Sequence, residues 1–544
     1  MKKKLISLLI VSAMLSFFAV QAGAADIEAA PTAVDRDIEI VAADYPEVGS
    51  ELEPEEALPS RYSSVDEGYV TPVRHQKFNT CWAYSSTATF ESRILSLKNN
   101  TGHISTMHMN YWGCTAENGK GWQRTFSAAG YPYIALGYLT SMGCVSESIF
   151  PESKSLEDYQ SMSEDLYPSY IADSVIYLTD DDIDTVKTAI YNYGGVVGNF
   201  HYDSSLLSGS SYYVDTSGMT VSQMNGHAVE VVGWDDNYSL RNFSSGHQPA
   251  SNGAWLCKNS WGQSFADNGY FWISYEDQYL FSSRFGPSYA ISSAAVMNAN
   301  TKLQQNEIYG SVCEFNYFDE RQRLKKMTYA NVFDFSDGYH NIDEIIFEST
   351  SEGSAYTVYY IPTDENGVPS DDSSLWTELG SGMIEYNGYI KVNTGGFSAP
   401  REKGAIGVQI QRRDTSTGLS IGVAEWFRTS GVMRFIPDVA PGQSYIIGYK
   451  ADPADVLDIY RDQLDDDIGG TLAIKALCHS DDENGDVDRD GDFTIVDVTA
   501  AQRKLIDIME LDKTQLRFAD YDNDGEVTIV DCTKMQRKLI RIDR

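Results

Sequence analysis

Apolar and polar positions change their rhythm several times along the 544-residue chain, and each rhythm predicts a different element. A predominantly apolar run from Leu5 to Val20 follows Lys2, Lys3 and Lys4 and gives way to small residues at Ala22 and Ala24. So short a run with a basic start predicts an export signal over 1–24. Residues 25–56 hold eleven acidic residues against the single base Arg36, too polar a stretch to bury a core, and are expected to form an acidic leader. Phe90, Ile94 and Leu97 then recur at helical spacing in "CWAYSSTATFESRILSLK". That pattern predicts a helix starting at Cys81, with Asn79 and Thr80 as cap residues. From about 293 to 478 the chain turns to short β-branched and aromatic runs such as "MTYANVFDF", "AYTVYYIP" and "AIGVQIQ", separated by turn clusters such as "TDENGVPSDD". These predict an all-β sandwich. Finally, "DRDGDFTIVDVTAAQRKLI" at 488 returns as "DNDGEVTIVDCTKMQRKLI" at 522, so the C-terminal segment is a duplicated module.

The expected organisation is therefore multidomain: signal 1–24, leader 25–56, a mixed α+β domain 57–292, a sandwich 293–478 and the repeat 480–544. After the signal, no run approaches the ~20 apolar residues that a bilayer demands. A net charge of −37 argues against nucleic acid or an anionic membrane as partner. The seven cysteines, Cys81, Cys114, Cys144, Cys257, Cys313, Cys478 and Cys532, are too few for a disulfide scaffold, and their odd number leaves at least one unpaired.

Both copies of the repeat place oxygen donors at alternating positions. Asp486, Asp488, Asp490, Thr494 and Asp497 stand at loop positions 1, 3, 5, 9 and 12 of the first, and Asp520, Asp522, Asp524, Thr528 and Asp531 occupy the same places in the second. Asp492 and Glu526, at position 7, would offer backbone carbonyls, and Gly491 and Gly525 allow the sharp turn between. Carboxylates packed this closely repel one another unless a hard cation sits among them, which predicts two Ca²⁺ sites. Each loop ends in aspartate and is followed by one helix. In this the segment resembles type I dockerins, modules that bind cohesin domains of a cellulosome scaffolding protein. The resemblance implies that Ile495, Val496, Gln502 and Arg503, with Ile529, Val530, Gln536 and Arg537, carry cohesin recognition. Core packing is the competing reading for Ile495 and Ile529.

Cys81 at a helix start feels the positive end of the helix dipole, which favours thiolate. A base and an orienting group stand downstream, His227 in "NGHAVEVVGWDD" and Asn259 in "WLCKNSWG". The polar insertion "NYSLRNFSSGHQPASNG" separates the strands that carry them. Together with "LPSRYSSVDEGYVTPVRHQ" and "AGYPYIAL", these motifs make residues 58 to about 290 resemble papain-like cysteine peptidases, two-lobed α+β enzymes. The resemblance implies a Cys81/His227/Asn259 thiolate mechanism with no cofactor for catalysis. It makes Gln76 an oxyanion donor and Trp261 a shield for the histidine. Gly130 would pair with the substrate backbone, while Tyr131 and Pro132 would line a pocket. Gln76 lies five residues before Cys81, one fewer than the family pattern, and "KFNT" replaces the family's glycines and cysteine. The family's first disulfide is missing, and a Cys114–Cys144 bridge is left open. Cys257 is expected to pack as a small apolar residue.

The sandwich resembles the lectin-like domain of some exported cysteine peptidases, and both carbohydrate binding and bracing of the peptidase remain open for it. The function expected is a secreted, cellulosome-associated cysteine endopeptidase acting on protein or peptide. The alternative is a catalytically impaired papain-like protein that grips peptides or an inhibitor.

Overall fold

The helix expected at Cys81 runs over Cys81–Ser96 and buries Trp82, Phe90 and Ile94. A buried side chain of this size contributes about 1.5–3 kcal/mol. Thr80 occupies the N-cap position, but its hydroxyl donates back to the Lys77 carbonyl, so no side chain caps the first turn. The expected cap is therefore replaced by a turn lock, and the Thr80 carbonyl accepts from Ala83 N at 2.9 Å and Tyr84 N at 3.1 Å.

This computed structural model describes residues 57–97, 103–114, 121–153, 168–179, 182–215, 219, 225–282, 287–311, 313–317, 326–412, 419–425, 427–428, 434–448, 456–459, 470–522 and 525–540. The expected signal, the acidic leader and Asp524 lie outside the described residues.

Two lobes face each other across the start of the Cys81 helix. One is helical, with Thr106–Trp112 and Pro132–Ser141 packed on Cys81–Ser96. The other is built from the strands Tyr170–Tyr177, Tyr289–Val296, Val196–His201, Gly226–Asp235, Ala254–Lys258 and Tyr270–Ser274, adjacent in that order, with the helix Ile183–Tyr193 against them. The polar insertion falls between Gly226–Asp235 and Ala254–Lys258, as its composition predicts. The strand Tyr289–Val296 runs across the expected domain boundary at 292/293.

The same sheet continues out of the peptidase. Gly388–Ser398 pairs with Tyr170–Tyr177 through Gly388 opposite Ile176 and Tyr389 opposite Val175, and leads on to Tyr339–Ser349, Ile474–Ser480 and Thr301–Gln304. Gly388 has φ +141°, and a Cβ there would lie 2.1 Å from the Val175 carbonyl oxygen, so only glycine permits this approach. A second, six-stranded sheet, from Thr377–Met383 through Ala355–Pro362, Lys403–Gln411, Lys326–Asp334 and Ser444–Ile447 to Val456–Asp458, completes the sandwich. Its apolar face, including Val358, Ile406 and Ile410, shares one core with Ile345 and Phe347 of the first sheet and with Leu136 and Leu139 of the peptidase.

Two further seams fix the sandwich to the helical lobe. Arg434–Ile436 pairs with Gly121–Gln123, setting the Phe435 ring at a tilt against Trp122 with centroids 4.7 Å apart. Lys475, fully buried, bonds Glu307 at 3.0 Å and the Thr140 carbonyl at the end of Pro132–Ser141, a buried pair with its remaining protons satisfied.

The repeat folds as Ile495–Leu505, Lys513–Ala519 and Ile529–Leu539 around Val487, Val498, Cys532 and Met535. The middle helix was not anticipated from the pattern. Among the described residues no helix is long and apolar enough to cross a membrane.

Candidate active site and calcium loops

Local ladders bring the expected residues together. Gly262 N donates to the Arg74 carbonyl at 3.0 Å and Gln76 N to the Ser260 carbonyl at 2.6 Å, setting the segment before Cys81 beside Asn259 and Trp261. His227 lies at the start of Gly226–Asp235 and is buried. Its Nε2 meets Asn259 Oδ1 at 2.8 Å, and the Trp261 ring stacks on the imidazole at 4.3 Å. The Trp261 ring thus covers one face of the imidazole. Asn259 Oδ1 is itself held by Ser260 N at 2.7 Å, which fixes the amide's direction.

Cys81 is half-buried and carries a free thiol. Burial pushes that thiol up, while the N–H groups of Ala228, Trp82 and Cys81 itself act on the sulfur in the opposite sense. Ala228 follows His227, so the histidine strand reaches the nucleophile through its backbone. Among the described residues Cys81 and His227 share no hydrogen bond, a separation common before substrate tightens a site. Burial also drives His227 down to about 4, with the Asn259 bond opposing. Neither charge is favoured alone, so thiolate and imidazolium must stabilise each other.

Gln76 is held at both ends. Ser260 Oγ donates to its Oε1 at 2.6 Å, which turns Nε2 the other way, where it donates to the Phe78 carbonyl at 3.0 Å. An amide NH₂ has a second hydrogen to give. The shortened loop closes through Phe78 at φ +59°, a left-handed backbone unusual for a bulky residue.

Gly130 lies flat against Trp82, where a Cβ would come 2.5 Å from the indole nitrogen. Tyr131 is half-buried and stacks on Tyr133 at 5.3 Å. Pro132 is buried as the first residue of its helix, so of the expected pocket pair Tyr131 is the one with accessible surface.

Two groups escaped the sequence reading. Ser260 was readable as the neighbour of Asn259 in "KNSWG". A buried ionic cluster beneath the site was not, because its members are scattered in sequence. Arg74 bonds Glu91 at 3.3 Å, and Ile104 N donates to Glu91 at 2.7 Å. Lys258 bonds Glu230 at 3.2 Å and Thr71 at 3.1 Å. Burial alone would raise Glu91, but Arg74, with His103, Lys258 and Thr71, holds it down at about 2. The cluster ties the helix Cys81–Ser96 to the strand carrying His227 and to the strand that ends at Lys258, one residue before Asn259.

Cys114 and Cys144 are both free thiols, and Cys257 is buried, as expected for a packing residue. His108 is also a packing residue, its Nδ1 at 2.6 Å from Tyr138 Oη.

In the repeat, carboxylate oxygens of Asp486, Asp488 and Asp497 lie within 4.8 Å of one another, as do those of Asp520, Asp522 and Asp531. Gly491 and Gly525 both have φ +93°, so the two loops share their turn. Thr494 and Thr528 cap the following helices, with Asp497 and Asp531 completing capping boxes. The donor set is all oxygen and fits a hard cation. Asp490 and Asp492 are exposed, with the Asp490 carboxylate accepting from Asp492 N at 3.0 Å, and Glu526 is exposed too. Ile495, Val496, Ile529 and Val530 are 49–64% exposed, which excludes core packing for Ile495 and Ile529. Gln502 is half-buried; Arg503, Gln536 and Arg537 are exposed. Ile506, Ile508 and Ile540 add exposed apolar surface that the motif did not reveal.

Fold and site together define a two-lobed thiol hydrolase architecture carrying a β-sandwich and a loop–helix repeat. The pattern for papain family cysteine proteases matches residues 58–299, that for lectin-like domains 305–465, and that for dockerin type I domains 484–540. Cathepsin J of Mus musculus is 27% identical over 232 residues, and cathepsin S of Bos taurus 28% over 228. Each match covers 40% of this chain and 60% of the relative's length. The crystal structure of the cysteine protease and lectin-like domains of Cwp84, a surface layer associated protein of Clostridium difficile, superposes with a TM-score of 0.67 at 31% identity, covering 78% of this chain and 90% of that one. The chain belongs to the papain family of cysteine proteases, with a lectin-like domain and a type I dockerin domain joined to the peptidase.

Proposed function

We propose that this chain is an exported cysteine endopeptidase that hydrolyses peptide bonds in protein or peptide substrates and is tethered to a cellulosome scaffold through its dockerin. The observation that carries the catalytic part is the Cys81 sulfur at a helix start, met by Ala228 N–H, beside a His227 whose Nε2 is committed to Asn259. That commitment leaves Nδ1 to serve the thiol. Cys81 as thiolate attacks the peptide carbonyl, and the C–N bond breaks as His227 passes its proton to the leaving amine. Water, deprotonated by His227, then releases the acyl group as a carboxylic acid. Gln76 Nε2 and Cys81 N–H receive the developing oxyanion, a donor of this kind being worth about 2.7–4 kcal/mol. Trp261 shields the imidazole, while Gly130 pairs with the substrate backbone beside Tyr131.

Asp486, Asp488 and Asp497 in one loop, and Asp520, Asp522 and Asp531 in the other, would each hold a Ca²⁺ ion, whose charge would offset the repulsion among the carboxylates. Within this chain Thr494 and Thr528 start the docking helices, and Ile495, Val496, Ile529 and Val530 present the apolar face to a cohesin domain. The basic, apolar start over 1–24 supports export. Hydrolysis of fluorogenic peptides under reducing conditions tests the enzyme reading: wild type should cleave, and Cys81→Ala and His227→Ala should lose at least a thousandfold. Equal cleavage by Cys81→Ala would overturn it. Chelation should abolish cohesin binding, and unchanged affinity with chelator present would contradict the docking part.

A further inference from the structure

The segment between Gln76 and Cys81 carries a phenylalanine where the backbone disfavours one. Phe78 sits at φ +59°, which glycine adopts freely and a bulky side chain resists. The residue is 51% exposed. The loop is held firmly: Gln76 Nε2 donates to the Phe78 carbonyl at 3.0 Å, Thr80 donates to the Lys77 carbonyl, and Lys77 Nζ donates to the Glu152 carbonyl. A strained backbone holding an apolar ring in solvent is retained where the ring has something to meet.

Its neighbour shows what that is. The Phe126 ring meets Phe78 edge-on, with centroids 5.5 Å apart. Phe126 is half-buried against Tyr84, Met107, Val145 and Phe150, and its carbonyl accepts from Asn110 Nδ2 at 2.9 Å, so it is a fixed support. Phe126 lies four residues before Gly130, and Phe78 three before Cys81. A substrate paired at Gly130 and attacked at Cys81 must carry the residue preceding the scissile bond between those two points. The aromatic pair draws one ring from each segment flanking that gap.

We propose that Phe78 and Phe126 form an apolar platform for the side chain of the substrate residue whose carbonyl Cys81 attacks, selecting aromatic or large aliphatic side chains there. This rests on the peptidase reading above. A phenyl or isobutyl group laid on the pair displaces water from both rings, whereas a carboxylate would be desolvated without a partner.

The test is a set of fluorogenic peptides identical except for the residue before the cleaved bond (Phe, Leu, Ala or Asp), with kcat/KM measured for wild type, Phe78→Asn and Phe126→Leu. Asparagine tolerates the left-handed backbone, so Phe78→Asn removes the ring without adding strain. Wild type should favour Phe and Leu over Ala by roughly tenfold and over Asp by more. In Phe78→Asn the Phe-to-Ala ratio should fall to within about twofold, with a partial fall in Phe126→Leu. The ratio is internal to each variant and unaffected by how much protein folds. A flat wild-type profile, or a ratio unchanged in Phe78→Asn, would overturn the platform while leaving the peptidase reading intact. Hydrolysis of none of the four peptides by folded wild type would overturn both.

Discussion

Ser260 and His227 act directly on neighbouring groups of the site, so the loss of either side chain has calculable consequences. Removing the Ser260 hydroxyl frees Gln76 Oε1 from its 2.6 Å bond and lets the amide rotate away from Cys81. Ser260→Ala should lower kcat by about five- to tenfold with little change in KM, as expected for a bond worth about 1 kcal/mol that acts on the transition state. Without His227, the thiol is left with a burial effect that raises it above its usual value. His227→Ala should therefore slow iodoacetamide alkylation of Cys81 at pH 7 by at least tenfold, read by mass spectrometry. Cys81, His227 and Asn259, the three residues proposed for catalysis, were legible because each stands in a motif with its own local signature. Ser260's contact was not, since it depends on a ladder between residues 76 and 260 that no short-range pattern encodes. Nor did the sequence reveal that Thr80 would lock the turn rather than cap the helix, because both uses suit the same hydroxyl.

Among elements, the join between peptidase and sandwich has the least slack. Gly388 approaches the Val175 carbonyl so closely that any side chain must part the strands. Gly388→Val should lower the melting temperature by several degrees and expose the sheet seam to proteolysis, a loss of roughly 2–4 kcal/mol. The strands of the sandwich were readable from their alternation, and the calcium loops from their repeat. The pairing of Gly388–Ser398 with Tyr170–Tyr177 joins residues more than two hundred positions apart, and such a register leaves no mark in local periodicity. The helix Lys513–Ala519 went unread because, at seven residues, it offers too few turns for a period to show. In the dockerin, Thr528→Ala removes the hydroxyl that receives Val530 N at 3.1 Å and should cost about 1 kcal/mol in the stability of the module, measured by urea denaturation with Ca²⁺ present.

For the whole molecule, the fused sheet joins the sandwich to the strand lobe, while the Arg434–Ile436 pairing and the Lys475 bonds join it to the helical lobe. The buried cluster of Arg74, Glu91, Lys258 and Glu230 links the lobes, and its response to pH follows from Glu91. A carboxyl held at about 2 in the folded protein, against an ordinary value near 4.5, contributes stability that is complete above about pH 4.5. That stability is lost as pH falls toward 2, and its size is on the order of 3 kcal/mol. Urea midpoints taken from pH 5 to pH 2.5 should fall steeply in wild type. In Glu91→Gln they should start lower and lose this component of the slope.

Cys81 is proposed as the peptidase nucleophile, and every catalytic role assigned to its neighbours depends on that. A peptidyl epoxide incubated with the reduced, folded protein and followed by peptide mass spectrometry tests it most directly. One adduct is expected, on Cys81, absent from Cys81→Ala and greatly slowed in His227→Ala. Folded wild-type protein that forms no adduct at Cys81 would contradict it.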